Sequence, residues 1–201
     1  MKTFDGWGNI PPHKLPVDLP DEVALTSYYT PYPVVDRVWE LVGKHLILRM
    51  KFTALEPSCG DGRFIDQAIE HHYAGVWTSL DIDDTVDTVH DNHMAIAFED
   101  FWTDEKIDLI TGNPPYGQWR VADKALGIPP MKIHEFFVAK SLLMLKPGGV
   151  MAYVLPTTQA NRLSANTPDG FTVEELEHLP TGTFKNARVE CSIIVVKKEV
   201  Y

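Results

Sequence analysis

The sequence predicts an α/β protein with a doubly wound, mostly parallel sheet in a single domain. Short apolar runs of strand length alternate with longer segments of helical periodicity. This alternation is typical of a parallel sheet that carries helices on both faces. The chain has 201 residues, a hydrophobic fraction of 44% and no internal repeat or linker. A chain of this size suits one domain with a sizeable core.

The elements are predicted in order along the chain. Residues 1–25 are rich in proline and aspartate and are interpreted as an N-terminal arm, followed by a folded domain over 26–201. The patterns predict helices over 33–50, 62–72, 83–92, 133–145 and 173–178. They predict strands over 52–57, 76–82, 95–98, 107–111, 150–155 and 189–197. Segments 117–130 and 157–170 are predicted to be loops because glycine, proline or polar residues dominate them.

Composition limits the classes of function. No apolar run approaches the ~20 residues that cross a bilayer, and the N-terminus lacks the apolar region of a signal peptide. The two cysteines, Cys59 and Cys191, do not suggest a disulfide framework. The sequence shows no ligand spacing typical of a metal site. We therefore expect a cytoplasmic protein without a membrane segment or a metal.

The charge distribution bears on the choice of partner. The net charge is −10, with 17 acidic and 7 basic residues in positions 1–100 and 11 of each in positions 101–201. Phosphate contacts supply much of the affinity of proteins for DNA. The chain alone is therefore expected to bind duplex weakly, to need a partner, or to act on something other than duplex DNA. The neutral second half permits a local basic patch.

The most informative segment is LITGNPPYG, residues 109–117. An apolar run ends at Asn113, and Pro114 and Pro115 cannot continue a helix or lie in a central strand. The segment thus places an amide side chain, free carbonyls and the ring of Tyr116 just beyond a strand end. These groups can accept hydrogen bonds from an amino group and stack on a flat ring. A rigid turn without chemistry is the alternative.

A second segment, LEPSCGDGRF at residues 55–64, lies between the first strand and its helix. Gly60 and Gly62 allow a close approach of the backbone to a ligand, at the carboxyl end of a strand, where ligands bind in such sheets. The spacing matches neither the G-x-G-x-x-G fingerprint nor a P-loop. A tight strand-to-helix turn without a ligand remains an equal alternative. The second strand ends at Asp81, which can accept hydrogen bonds from ribose hydroxyls, with Ile82 as an apolar wall for a base.

These motifs, together with SYYTP at residues 27–31, resemble in kind and order the S-adenosylmethionine-dependent adenine-N6 methyltransferases. The resemblance covers roughly residues 26–156. It implies a seven-stranded, Rossmann-like methyltransferase sheet with S-adenosyl-L-methionine as cofactor. Thr30 and Pro31 would line the methionine end, although Thr30 also suits a helix N-cap followed by proline.

The resemblance assigns further cofactor contacts. Glu56 would lie near the ammonium of the methionine portion, Gly60 and Gly62 beneath the cofactor, and Phe64 beside it. Cys59 would be a small wall residue rather than a nucleophile. In the segment EDFW at residues 99–102, Asp100 would contact the adenine amino group and Phe101 would pack on its ring, with Trp102 as a competitor.

The resemblance also implies the catalytic roles. The Asn113 side-chain oxygen and the Pro114 carbonyl would bind the two hydrogens of the adenine N6, and Tyr116 would stack on the flipped base. Phe184 would pack on the other face of that base, or else belong to the core. Apart from the resemblance, Lys185 and Arg188 could reach phosphate, with surface charges that have no specific role as the alternative.

The substrate is less constrained than the chemistry. Relatives that act on DNA usually carry a target-recognition region, and the segments 117–130 and 157–170 are short for one. DNA is favoured over RNA as the acceptor, with a specificity subunit or a homodimer supplying recognition. The alternatives are RNA methylation, protein glutamine methylation, and a catalytically idle subunit that binds cofactor or partner.

Overall fold

The computed structural model describes residues 29–46, 52–73, 75–83, 92–184 and 189–200. The predicted arm and most of the helix predicted over 83–92 lie outside these ranges. The helices are α1 (Tyr32–His45), α2 (Arg63–Glu70), α3 (Ile133–Met144) and α4 (Thr157–Ala165). The strands are β1 (Thr53–Glu56), β2 (Val76–Asp81), β3 (His93–Ala95), β4 (Ile107–Gly112), β5 (Arg120–Asp123), β6 (Ile128–Lys132), β7 (Leu145–Pro156), β8 (Phe171–His178) and β9 (Cys191–Lys198).

Seven strands form one sheet in the order β3-β2-β1-β4-β7-β9-β8. The pairs β2–β3, β1–β2, β1–β4 and β4–β7 are parallel, whereas β9 runs antiparallel to both β7 and β8. The predicted doubly wound, mostly parallel sheet is confirmed. β5 and β6 form a separate antiparallel hairpin.

The sheet is buried on both faces, which explains the continuous apolar runs of its central strands. Neighbouring residues in β4 point to opposite faces: Leu109 packs with the α1 and α2 side, and Ile110 with the α3 side. Trp39 of α1 is fully buried and donates a hydrogen bond from its indole N–H to the Phe64 carbonyl at 3.1 Å. This bond fixes α1 against the start of α2. No helix within the described ranges is long and apolar enough to cross a membrane.

The prediction of a loop over 117–130 is wrong, because that segment contains β5 and most of β6. The prolines are tolerated since the hairpin is a two-stranded ribbon with an irregular register between Val121 and Asp123, where ladder hydrogen bonds are interrupted. Gly127 turns the hairpin with a φ of +69°. The strand predicted over 95–98 is displaced, because β3 ends at Ala95 and a 3-10 turn spans Phe98–Asp100.

Two predictions in the last third of the chain are also wrong. The irregular segment predicted over 157–170 contains α4, which buries Ala160 and so lacks an apolar stripe that a sequence pattern would reveal. The helix predicted over 173–178 is β8. Its Glu-Glu-Leu-Glu segment favours a helix by propensity, but pairing with β9 overrides that preference. Charged residues on such an edge strand are common, since they oppose pairing with other chains.

A buried ion pair joins α3 to the hairpin. Lys140 is fully buried in the middle of α3 and lies 2.9 Å from Asp123 Oδ2 at the end of β5. The same ammonium donates to the Glu99 carbonyl at 3.0 Å in the 3-10 turn. Burial raises the pKa of Asp123, but the hydrogen bonds from Lys140 and the Leu126 N–H and the charge of Lys140 together outweigh burial, so that the net effect lowers this pKa. One side chain therefore holds three separate segments together.

We predict that Lys140→Met lowers the free energy of unfolding by about 3–5 kcal/mol, because it leaves Asp123 without its buried partner. Urea denaturation followed by circular dichroism measures the change. The double variant Lys140→Met/Asp123→Leu should recover most of the loss, since an apolar pair can replace a buried ion pair. Lys44→Met, at the exposed pair with Glu175, is the matched control and should cost less than about 1 kcal/mol. Equal losses in both lysine variants would contradict a special role of the buried pair.

Candidate active site

The candidate site lies where three neighbouring parallel strands end. β1 ends at Glu56, β2 at Asp81 and β4 at Gly112, and β1 lies between the other two. The carboxyl ends of parallel strands meet at one edge of a sheet, which is where ligands bind in such folds. The segments that the sequence singled out for cofactor binding and catalysis are therefore brought together.

The glycine turn after β1 has the backbone that its sequence requires. Gly60 and Gly62 have φ values of +52° and +79°, in the left-handed region that favours glycine. Gly62 is the N-cap of α2, and its N–H donates to the Cys59 carbonyl at 2.9 Å. The Cys59 N–H donates to the Leu80 carbonyl of β2, also at 2.9 Å. The turn is thus tied to the neighbouring strand.

Glu56 is the most unusual side chain of the site. It is 1% exposed, and its Oε2 has no hydrogen-bond partner among the described residues. Burial raises the pKa of Glu56 well above its ordinary value, and repulsion from Asp61 and Asp81 raises it further. A Cβ at Gly112 would lie 3.5 Å from Glu56 Cγ, so the carboxyl group packs directly against the end of β4. A buried carboxyl group with an unused acceptor suits a cationic ligand.

Asp81 ties the end of β2 to the glycine turn. Its Oδ2 accepts a hydrogen bond from the Gly60 N–H at 2.9 Å, and its Oδ1 accepts one from the Asp83 N–H at 3.1 Å. Burial raises the pKa of Asp81 to about 6 against the effect of these hydrogen bonds. Ile82 follows, half-buried. Asp83 is buried, and the helix predicted over 83–92 falls largely on residues outside the described ranges.

Cys59 is buried, with 4% exposure, and its role as a wall of the cofactor site stays a prediction. Burial raises the pKa of its thiol, and the nearby Glu56 and Asp81 raise it further. A raised pKa favours the protonated thiol over the thiolate, which is the nucleophilic form. Phe64 is 2% exposed and belongs to the core between the sheet and α1. Its predicted contact with a cofactor stays a prediction.

The segment before α1 reaches the glycine turn through Arg63. The guanidinium group pairs with Asp61 and donates to the Thr30 carbonyl at 2.5 Å. It also lies over the rings of Tyr29 and Tyr32, at 4.7 and 5.0 Å from their centroids. These contacts bring the predicted upstream motif to the site.

Thr30 does not cap α1. The N-cap is Pro31, and no side chain caps the helix. The N-cap interpretation of Thr30 is therefore wrong. Thr30 is 2% exposed, and its Oγ1 has no hydrogen-bond partner among the described residues.

Asn113 directly follows β4, and its side-chain oxygen is held by the Tyr116 hydroxyl. Tyr116 Oη lies 2.5 Å from Asn113 Oδ1 and 2.9 Å from the Val154 carbonyl oxygen of β7. The hydroxyl has one proton, so it donates to one of these oxygens at a time. Burial places the pKa of Tyr116 well above its ordinary value, which keeps that proton in place. The Ser58 hydroxyl donates to the Asn113 carbonyl at 3.4 Å and links the motif to the glycine turn.

Other predicted contacts lie around this centre. Pro114 is buried. Asp100 is exposed at the end of the 3-10 turn, Phe101 is 7% exposed, and Trp102 points outward with 56% exposure. Phe184 is 7% exposed and belongs to the core cluster against which Tyr116 packs. Lys185 and Arg188 lie outside the described residues, and the roles of these side chains stay predictions.

The sequence patterns missed the residues that hold the site together. Ser58, Arg63 and Cys191 act through contacts with distant segments, and the Cys191 thiol lies 3.9 Å from Tyr116 Oη. The sequence does contain a signal for Lys140, because a lone lysine within the apolar segment FFVAKSLLM indicates a buried charge with a partner. In the described part of the chain, no group of three or more His, Cys, Asp or Glu residues is arranged to hold a metal ion.

Comparison with known proteins connects the chain with modification methylases. No protein-family model matches it. Modification methylase CviBIII from Paramecium bursaria Chlorella virus NC1A is 28% identical over 145 residues, which cover 67% of this chain and 38% of that protein. The type II methyltransferase M.HincII from Haemophilus influenzae is 29% identical over 153 residues, which cover 70% of this chain and 29% of that protein. The matched region thus spans less than half of each relative.

Solved structures define the fold. A Listeria monocytogenes protein assigned to the class I S-adenosylmethionine-dependent methyltransferases aligns with a TM-score of 0.69 at 16% identity, over 85% of this chain and 61% of that one. The M protein of the type I restriction enzyme EcoKI aligns with a TM-score of 0.59 at 18% identity, over 87% of this chain and 44% of that one. The chain therefore has the class I methyltransferase fold, with its mostly parallel sheet and antiparallel last strand.

We predict that Asp81→Asn stabilises the ligand-free protein at neutral pH. The pKa of Asp81 in the folded state, about 6, lies above the ordinary value of 3.8, so the folded state binds the proton more tightly than the unfolded state. Below the unfolded pKa both states are protonated. Stability of the wild type then falls as the pH rises between these two values. The gain of the asparagine variant should therefore grow with pH and reach at most about 3 kcal/mol.

Chemical denaturation of both proteins at pH values from about 4 to 7 measures this gain. Asp81→Ala is the control for hydrogen bonding, because alanine removes the acceptor for Gly60 and Asp83 along with the charge. A difference between wild type and Asp81→Asn that does not change with pH would contradict the prediction.

Proposed function

We propose that this chain is an S-adenosylmethionine-dependent methyltransferase that methylates the exocyclic N6 amino group of adenine in DNA. The observation that carries the proposal is the position of Asn113. Its side-chain oxygen is held by Tyr116 at the end of β4, and the preceding residue, Gly112, packs against the buried Glu56. An amide acceptor for an amino group thus stands beside a buried carboxyl group that suits a cation.

The residues around the strand ends suit the proposed cofactor. Glu56 Oε2 and Thr30 Oγ1 are buried polar atoms without partners among the described residues, and Gly60 and Gly62 leave the backbone of the turn bare of side chains. Glu56 would face the ammonium group and Asp81 the ribose hydroxyls, with Ile82, Asp100 and Phe101 around the adenine. When bound, S-adenosylmethionine would supply a methyl group on a sulfonium, so that a C–N bond forms as the C–S bond breaks and the methylated nitrogen releases one proton to solvent.

The protein's own contribution is to orient the amino group. Asn113 Oδ1 and the Pro114 carbonyl accept the two N6 hydrogens, which favours a pyramidal nitrogen whose lone pair is no longer delocalised into the ring. The Tyr116 hydroxyl donates to Asn113 Oδ1 and so holds the amide oxygen in place at the end of β4. Tyr116 presents its ring to the flipped base while its hydroxyl stays buried. Position and electrostatics therefore supply the catalysis.

DNA is the acceptor favoured by the relatives, two of which are named a modification methylase and a type II methyltransferase. The competing functional interpretations of the same site are methylation of RNA, methylation of a protein glutamine, and a catalytically idle subunit that binds the cofactor or a partner. The matched region spans 38% and 29% of those relatives. Recognition of the target sequence by a specificity subunit or a second copy of the chain also belongs to the proposal.

We predict that Asn113→Ala lowers methyl transfer to DNA at least about 100-fold, which is the usual effect of removing one hydrogen bond that acts in the transition state. The protein is incubated with tritiated S-adenosylmethionine and separate pools of DNA, RNA and protein, and labelled DNA is digested to identify N6-methyladenine. Cofactor affinity, measured by calorimetry, should change less than about 3-fold, because Asn113 faces the acceptor.

Asn166→Ala is the matched control, since Asn166 is an exposed asparagine at the end of α4. It should leave both transfer and cofactor affinity unchanged. Label in RNA or protein alone would replace the DNA assignment. Cofactor binding without label in any pool would identify an idle subunit, and unchanged transfer by Asn113→Ala would refute the catalytic role of this residue.

A further inference from the structure

The segment that follows the Asn-Pro-Pro-Tyr motif is a basic hairpin in an acidic protein. Residues 117–132 contain three basic residues and one acidic residue, whereas the whole chain has a net charge of −10. Arg120 and Lys124 are exposed, and Lys132 is half-buried. The sign of the charge is therefore reversed locally.

The acidic residues of this region do not cancel those cations. Asp123 turns inward to the buried Lys140 at 2.9 Å and also accepts a hydrogen bond from the Leu126 N–H at 3.1 Å. Glu135, at the start of α3, pairs with Arg162 of α4 at 2.8 Å. The hairpin thus presents its positive charges to solvent while its only carboxylate is neutralised from within.

The hairpin is also fixed close to the proposed catalytic motif. It leaves the carboxyl end of β4, returns into α3, and is joined to Tyr116 by three residues. Trp119 in this connection is 5% exposed, and its ring lies against Gly117, where a Cβ would overlap it. The Ile133 N–H donates to the Trp119 carbonyl at 3.1 Å and closes the base of the hairpin.

We propose that the β5–β6 hairpin binds the phosphodiester backbone of duplex DNA through Arg120, Lys124 and Lys132. This inference rests on the proposed function, and charge complementarity next to the site carries it. Lysine and arginine contacts with phosphate fix the position of a protein on a duplex. A two-stranded ribbon has the width of the major groove. The hairpin would thus hold the duplex in register while the target base reaches Asn113.

The test compares two double variants that remove the same charge. Lys124→Ala/Lys132→Ala alters the hairpin. Lys106→Ala/Lys198→Ala alters the opposite edge of the sheet, where β4 starts and β9 ends, with one exposed and one half-buried lysine as in the hairpin. Binding of a fluorescent duplex of about 30 base pairs is measured by anisotropy from about 50 to 200 mM salt.

The hairpin variant should bind duplex about 10-fold more weakly at 50 mM salt, with its salt slope reduced by about 2, because about 0.9 counterions are released per phosphate contact. In methylation assays its KM for DNA should rise while kcat and cofactor affinity remain those of the wild type. The control variant should match the wild type in every measurement.

Equal effects of the two double variants, or wild-type binding by the hairpin variant, would overturn the inference while leaving the proposed function intact if the wild type methylates DNA. Wild-type protein that binds no duplex at any salt would also overturn it, as would a hairpin effect on RNA alone. A wild type that transfers no methyl group to DNA would instead refute the proposed function.

Discussion

The position of β1 between β2 and β4 is the constraint on which the rest of the structure depends. The parallel register pairs Glu56 with Ser79 on one side and Leu55 with Ile110 on the other. The three strands consequently end at one edge, and the side chains that follow them converge. Glu56, Asp81 and Asn113 are far apart in sequence, so only this pairing brings their functional groups together.

The converging groups are electrostatically unfavourable to one another in the ligand-free protein. Glu56 and Asp81 are buried carboxyl groups that raise each other's cost of ionisation. The nearby guanidinium of Arg63 is already paired with Asp61. Residues that repel one another at the ends of well-packed strands are typical of sites where stability is given up for binding. A cation that binds beside Glu56 favours the ionised form of this carboxyl group, which burial disfavours in the ligand-free protein.

The sequence predicted those parts of the molecule that are determined by interactions between residues close together in the chain. The helices around Trp39 and Phe136, the central strands and the glycine turn follow from periodicity, from runs buried on both faces and from the left-handed backbone at Gly60 and Gly62. The motif at Asn113 was recognisable because two prolines after an apolar strand leave few structural options.

The parts that the sequence did not predict depend on distant partners. β8 is a strand because β9 pairs with it, although its glutamates favour a helix. The hairpin forms around Pro129 and Pro130 because Lys140 of α3 anchors it and because the Ile133 N–H, bonded to the Trp119 carbonyl, closes its base. Contacts between Arg63 and Thr30 or between Tyr116 and Val154 leave no periodic trace, since each joins residues with no fixed spacing.

The antiparallel last strand has a consequence for the order in which the site is completed. β9 comes last in the sheet's chain order but lies between β7 and β8, and its first residue, Cys191, touches the hydroxyl of Tyr116. The glycine turn and Asp81 need only strands that are synthesised early. The packing beneath Tyr116 requires β9, which is synthesised much later. Pairing between strands that are distant in sequence is slow to form. During synthesis, the framework of the proposed cofactor site is therefore expected to form before the proposed catalytic motif is fully supported.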